Sequence, residues 1–181
     1  MAVPDWVVDR NEGSRAVAAV CAGRRTVGRA VAITTSLEGA GGFGKTTLAA
    51  VVCASPRVRC HFRGRIFTVT IGRDVRGRAA VAAKAAEATR FITGDPAAYD
   101  DPDRAGAHLG RLLDERPRTL LVLDDVWEGE QLAPFLQGGK RCVRLVTTRV
   151  PALLPPGSAR QRPAAPACAS TRCPRPKPEP C

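Results

Sequence analysis

Nine residues, Gly39–Thr47 (GAGGFGKTT), constrain this chain more than any other stretch. They match G-x-x-x-x-G-K-[ST], a loop whose backbone N–H groups wrap the phosphates of a nucleotide. Such a loop needs positive φ angles and close approach of backbone to ligand, and side chains obstruct both. On this reading Gly39, Gly41, Gly42, Phe43 and Gly44 form the cradle and Lys45 reaches the β/γ-phosphates. The Thr46 hydroxyl ligates Mg²⁺, and Thr47, which continues into a helix, is the last of the nucleotide-binding residues of the loop. A flexible glycine linker is the competing reading, and the flanks argue against it. Ala30–Leu37 (AVAITTSL) is apolar and β-branched, as a buried strand of a parallel sheet is. Thr46–Cys53 (TTLAAVVC) is an apolar helical run whose N-terminus would direct its dipole and unpaired N–H groups at a bound anion.

Downstream, strands and helices alternate. Arg65–Ile71 (RIFTVTI) has the two-residue alternation of a strand, and Val75–Ile92 is an Ala-rich helix stopped by Gly94-Asp95-Pro96. Ala105–Glu115 reads as a further helix ending before Pro117, with Thr119–Leu123 and Cys142–Thr147 as short buried strands and Glu130–Leu136 as a helical turn or two. Asn11–Arg25 reads as a short helix upstream of the loop. This grammar predicts an α/β fold, a three-layer parallel sheet with helices on both faces, of the P-loop nucleoside triphosphatase type.

Two carboxylates close the apolar run LVLDDVW (Leu121–Trp127), about 80 residues after the loop. An acidic residue at the C-terminal end of such a strand is where a P-loop ATPase holds Mg²⁺. Asp124 is expected on the magnesium side, and Asp125 is placed to orient or deprotonate an attacking water. Arg149, in RLVTTRV (Arg144–Val150), sits at the tip of a neighbouring strand, where a planar guanidinium suits a γ-phosphate. Lys45 and Asp125 are therefore the candidate catalytic pair, and Thr46 with Asp124 the candidate metal ligands.

The chain has 181 residues and a formal net charge of +11, enough length for one domain and a preference for acidic partners. No compact basic run is interleaved with aromatics, so specific nucleic-acid binding is not indicated. Seven cysteines, an odd number without a C-x-x-C pair, argue against a disulfide framework. Cys60-His61 has no second pair at metal-ligand spacing, and His108 is expected on the surface. Asp5, Asp9 and Arg10 interrupt what would be the apolar core of a signal peptide, and no stretch there is long enough to span a membrane. A cytoplasmic protein is expected. After Val150 the last 31 residues hold 9 of the 15 prolines and no sustained periodicity, which predicts a disordered tail.

The three motifs, in this order, resemble those of the NB-ARC family of P-loop ATPases, which includes apoptotic protease-activating factors, plant disease-resistance proteins and bacterial regulators. The likeness extends beyond the loop to GKTTLA (Gly44–Ala49), HFRGRIFTVTIG (His61–Gly72), LVLDDVW and TTR, and covers about residues 5–150. In the family an upstream hydrophobic-x-Arg element touches the adenine, and Val8-Asp9-Arg10 resembles it. The resemblance thus implies three segments: residues 1–27, a linker and helix contributing to the adenine site through Val8 and Arg10; residues 28–150, the nucleotide-binding core; and residues 151–181, the tail. It implies ADP or ATP with Mg²⁺ as ligand, the nucleotide half of a signalling switch with at most slow hydrolysis, and protein partners for an intact homologue.

The chain departs from the family after Val150. The small helical domain and winged helix, with their G-L-P-L loop and phosphate-reaching histidine, have no counterpart, and beyond Leu153-Leu154-Pro155-Pro156 the sequence reads as a truncated or frameshifted frame. A fragment without useful nucleotide affinity is therefore the alternative function. ParA/MinD-type ATPases need a lysine just before the paired glycines, where this chain has Ala40, and no N-K-x-D or T-K-x-D element is present to read guanine.

Overall fold

A computed structural model describes residues 11–22, 30–34, 44–153 and 159–161. Five strands, β1 (Ala30–Thr34), β2 (Ile66–Thr70), β3 (Thr119–Val126), β4 (Cys142–Thr148) and β5 (Ala159–Gln161), form one sheet in the order β2-β3-β4-β1-β5. Every neighbouring pair is parallel. The helices are α1 (Asn11–Cys21), α2 (Lys45–Ala54), α3 (Pro56–Phe62), α4 (Gly77–Thr93), α5 (Pro102–Asp114) and α6 (Gly129–Leu136). Among the described residues no helix is long and apolar enough to cross a membrane.

The period of two along β3 sorts these helices into layers. Leu121 and Leu123 pack with Ala85 of α4, Leu109 of α5 and Phe135 of α6. Leu120 and Val122 pack instead with Ala16 of α1, Val52 of α2 and Phe62 of α3. Alternate side chains of a strand face opposite ways, so the two clusters are the two faces of the sheet, and the three-layer α/β arrangement expected from the sequence is the one observed. β3 and β4 occupy the middle, and β4 is buried at all seven positions. That is why both read as near-continuous apolar runs.

Four local features differ from expectation. β3 runs on past Leu123 to Val126 through a bulge, because the carbonyls of Asp124 and Asp125 still accept from Ile71 N (2.9 Å) and Gly72 N (3.2 Å). The helix α3 was not foreseen; it starts on Pro56, whose fixed φ suits a first helical position, and ends on Arg63 at φ 50. Ala159–Gln161, inside the Pro-rich stretch that composition sets apart, pair in parallel with Val31–Ile33 of β1; the remainder of the stretch beyond Gln161 lies outside the described residues. His108 is not a free surface residue: its side chain is 11% exposed, with Nε2 3.3 Å from Asp95 Oδ2 and its ring 5.2 Å from that of Tyr99.

One charged side chain lies wholly within the layer between β4 and α6. Arg144 has no exposed surface. Its guanidinium donates to five carbonyls: Phe135 (2.9 Å), Gln137 (3.0 Å), Gly138 (2.8 Å), Gly139 and Cys142 (both 3.2 Å). Burial lowers its pKa, with Cys142 and Asp114 acting in the opposite sense. Four of these carbonyls belong to the end of α6 and the turn that follows, where a helix leaves acceptors without partners of its own and a cation is favoured; the fifth, Cys142, opens β4.

The same turn presses against α5. A Cβ on Gly110 would stand 2.6 Å from Gln137 O, and one on Gly106 2.6 Å from Pro134 O. Because the obstructing atoms are backbone, Gly110→Ala should force α5 from α6 and lower stability by about 1–3 kcal/mol, read as a fall in the urea midpoint at unchanged slope.

Candidate functional site

Of the residues singled out from the sequence, Gly44, Lys45, Thr46, Thr47, Asp124, Asp125 and Arg149 lie among the described residues, at the C-terminal edge of the sheet, where parallel strands of an open α/β fold deliver their loops. Gly44 precedes α2 with φ 139, a backbone state open to glycine and strained for other residues. Gly44 brings no side chain of its own to cap the helix. Lys45 and Thr46 open that helix, and Thr47, half-buried, shares their turn.

Asp124 follows Leu120 and Val122 on the face of β3 that looks toward α2, by the same period of two that sorts the core. The residue is 7% exposed. Thr46 Oγ1 donates to it, 3.1 Å from both Oδ1 and Oδ2 across 78 residues of sequence. A second hydroxyl arrives from β4, where Thr147 Oγ1 donates to Asp124 Oδ1 at 2.6 Å. A buried carboxylate is tolerable only when its oxygens are hydrogen-bonded, and here the partners come from two different elements. The donor set is all oxygen: one hydroxyl and one carboxylate, directed at each other. That chemistry fits a hard divalent cation such as Mg²⁺.

Thr147 does a second job. Its oxygen accepts from Asp125 N at 2.9 Å. Asp125 occupies the bulge with φ 58, a left-handed state that aspartate tolerates better than most residues. One hydroxyl therefore fixes both the Asp124 carboxylate and the backbone that turns Asp125 to the other side. Thr147 was not among the residues expected from the sequence. The signal was present, since in CVRLVTT residue 147 shares the face of Val143 and Leu145, the face that Asp124 takes on β3.

Charge is concentrated here. The Lys45 pKa is lowered, first by burial and then by the Arg149 guanidinium, while Asp125 pulls it back up. Three of the expected groups, Lys45, Asp125 and Arg149, thus share one electrostatic environment. Arg149 stands with its guanidinium carbon 5.4 Å from the centroid of the Trp127 ring. Val8, Arg10, Gly39, Gly41, Gly42 and Phe43 lie outside the described residues.

The geometry agrees with what the chain is similar to. The family model described as "NB-ARC domain" matches residues 27–162. The regulatory protein AfsR of Streptomyces coelicolor is 33% identical over 135 residues, which is 74% of this chain and 13% of that protein. The regulatory protein AfsR of Streptomyces griseus is 34% identical over 116 residues, 64% of this chain and 12% of that protein. The chain therefore spans only a small part of the length of these relatives.

The double role of Thr147 is open to a direct check. Thr147→Val keeps the shape and removes the hydroxyl, which leaves Asp124 one donor short and Asp125 N without its acceptor. Stability should fall by about 1–3 kcal/mol in chemical denaturation, and Thr147→Ser should recover most of it.

Proposed function

The chain belongs to the NB-ARC domain family, and on that premise we propose that it binds ADP or ATP together with Mg²⁺, as the nucleotide half of a signalling switch. The match to the family supports a nucleotide-binding regulatory domain. The observation that carries the finer reading is the meeting of the Thr46 hydroxyl with the Asp124 carboxylate at 3.1 Å, the two protein groups that a Mg–nucleotide complex needs on either side of it.

In this reading the loop around Gly39–Gly44 and the first turn of α2 receive the phosphates through backbone N–H groups, and Lys45 adds a point charge to the β/γ-phosphates. Thr46 and Asp124 hold Mg²⁺, which when bound neutralises charge between the phosphates. Val8 and Arg10 contribute to the adenine site. Asp125, turned away from Asp124 by its left-handed backbone, is placed to accept a proton from, or orient, a water attacking the γ-phosphate. Arg149 answers the γ-phosphate from the tip of β4. Hydrolysis is slow, as suits a switch whose signal is the identity of the bound nucleotide. Residues 1–27 act as the adenine-side segment and residues 28–150 as the core, and the protein works in the cytoplasm with protein partners.

Two measurements test this. Thermal melting with Mg–ADP and Mg–ATP should show stabilisation of about 2.7 kcal/mol at one hundred times the dissociation constant, and Lys45→Ala should abolish it. A cooperative melt without a shift would identify a fragment lacking useful affinity.

The second is pH dependence. In the free protein Lys45 lies below its ordinary value of 10.5 because burial and Arg149 oppose its charge. Bound phosphates favour the ammonium and raise that pKa, so binding takes up a proton at alkaline pH. Affinity is full below the free-protein pKa and is lost as pH rises through it, by at most about tenfold per pH unit for one proton. Isothermal titration with ADP across the alkaline range should show the decline beginning below the usual lysine range, and Lys45→Arg should flatten it.

A further inference from the structure

Three loops leave the C-terminal ends of adjacent strands β2, β3 and β4, and one aromatic ring joins them. Trp127 follows β3. The guanidinium carbon of Arg73, from the loop after β2, lies 5.3 Å from its centroid, and that of Arg149, from the end of β4, lies 5.4 Å away. Both arginines are exposed, and the ring is partly buried. Two like charges gathered on one ring repel each other, and the attraction of each cation to the π face offsets that repulsion.

The placement is built rather than incidental. Gln131, 1% exposed, accepts through Oε1 from Trp127 N at 2.9 Å and Glu128 N at 3.2 Å. Its amide nitrogen donates to Gly72 O at 3.1 Å and Val75 O at 2.8 Å, the two residues that bracket Arg73 on its loop. One buried amide therefore fixes the Trp127 backbone against the turn that carries Arg73. The same loop is registered on the acidic pair, through Ile71 N to Asp124 O and Gly72 N to Asp125 O. Arg73 is thus held at the edge of the site that contains Lys45, Asp125 and Arg149.

Resting on the nucleotide-binding reading, in which Arg149 answers the terminal phosphate of a nucleoside triphosphate, we infer that Arg73 is a second cation that reads it, paired with Arg149 on the Trp127 ring. Trp127 and Gln131 are the positioning residues that hold the pair in place. A polyanion at this edge relieves the repulsion between the cations, and a third phosphate relieves it most. A diphosphate depends on the loop and Lys45 and engages the pair least. Arg73 is therefore a determinant of triphosphate over diphosphate, acting from the loop after β2, outside the glycine-rich loop, the acidic pair and the Thr-Thr-Arg segment.

The test is the ratio of affinities for Mg–ADP and for Mg with a non-hydrolysable ATP analogue, by isothermal titration on the full chain. Arg73→Ala, an exposed change that leaves the core intact, and Trp127→Leu should each weaken the analogue roughly two- to fivefold and leave ADP unchanged. Trp127→Phe, which keeps a π face, should restore most of the loss, and the double variant Arg73→Ala/Trp127→Leu should lose less than the sum of the two. An unchanged ratio in Arg73→Ala overturns the inference, as does an equal loss for both nucleotides in Trp127→Leu. A wild-type chain that binds ADP while failing these outcomes refutes the arginine pair alone. One that binds neither nucleotide refutes the nucleotide reading and the pair with it.

Discussion

The buried carboxylate of Asp124 is the constraint on which the site is organised. The carboxylate of a residue 7% exposed has to be hydrogen-bonded by protein or ligand, and Asp124 draws one hydroxyl from α2 and another from β4. These two contacts bind the element that follows the phosphate loop to the two central strands of the sheet. The bulge beside it follows from the same requirement. With Thr147 shared between the Asp124 side chain and the Asp125 backbone, the chain cannot continue as a regular strand, and Asp125 takes a left-handed state. Two adjacent carboxylates thereby acquire different surroundings: one is locked between hydroxyls, and the other is left half-buried beside Lys45 and Arg149.

On the opposite face of β4 the counterweight is Arg144. Its neighbours in sequence, Val143 and Leu145, face α1–α3, so Arg144 projects toward α6, where the end of a helix and a Gly-Gly turn leave carbonyls without helical partners. Five acceptors around one guanidinium make burial of the charge tolerable. They also set the position of α6, and with it Gln131, whose amide governs the loops after β2 and β3. The closeness of α5 to this turn, permitted by Gly106 and Gly110, completes the support. Stability and loop geometry share these residues, since Arg144 and Gly110 contact the end of α6 and the turn after it, and α6 carries Gln131.

What the sequence made legible was whatever carries a local period or a fixed spacing. The strands and helices and the acidic pair could be read because each is written within one short contiguous stretch with its own period or spacing. The helix α3 escaped because PRVRCHF is too short to show a 3.6 period and is crowded with basic side chains; the Ser55-Pro56 start was its one signal. β5 escaped because three residues in a Pro-rich stretch become a strand only by pairing with β1, a tertiary effect that overrides local propensity. Thr147 was passed over for its charged neighbour Arg149, although the face it takes on β4 was deducible from Val143 and Leu145. The group around Trp127 and Gln131 could not be read at all, since its contacts cross between three loops and have no sequence period.

The concentration of cations at one edge has a consequence for the chain as a whole. Lys45 and Arg149 oppose each other's charge, and Arg73 and Arg149 share one ring. The repulsion among these cations is unfavourable in the free protein; the Trp127 ring offsets part of it for Arg73 and Arg149, and Asp125 part of it for Lys45. An anion that enters this edge does more than occupy a site: it removes repulsion that the fold otherwise carries, and its binding energy adds directly to folding stability. In a domain with few aromatic residues and a core rich in alanine and valine, that contribution is a sizeable part of a total of roughly 5–15 kcal/mol. On the proposed reading, a bound nucleotide would be a structural component of the domain as well as its signal. If the proposed nucleotide binds here, the same repulsion makes the number of phosphates, rather than the base, the quantity to which the sheet edge would respond.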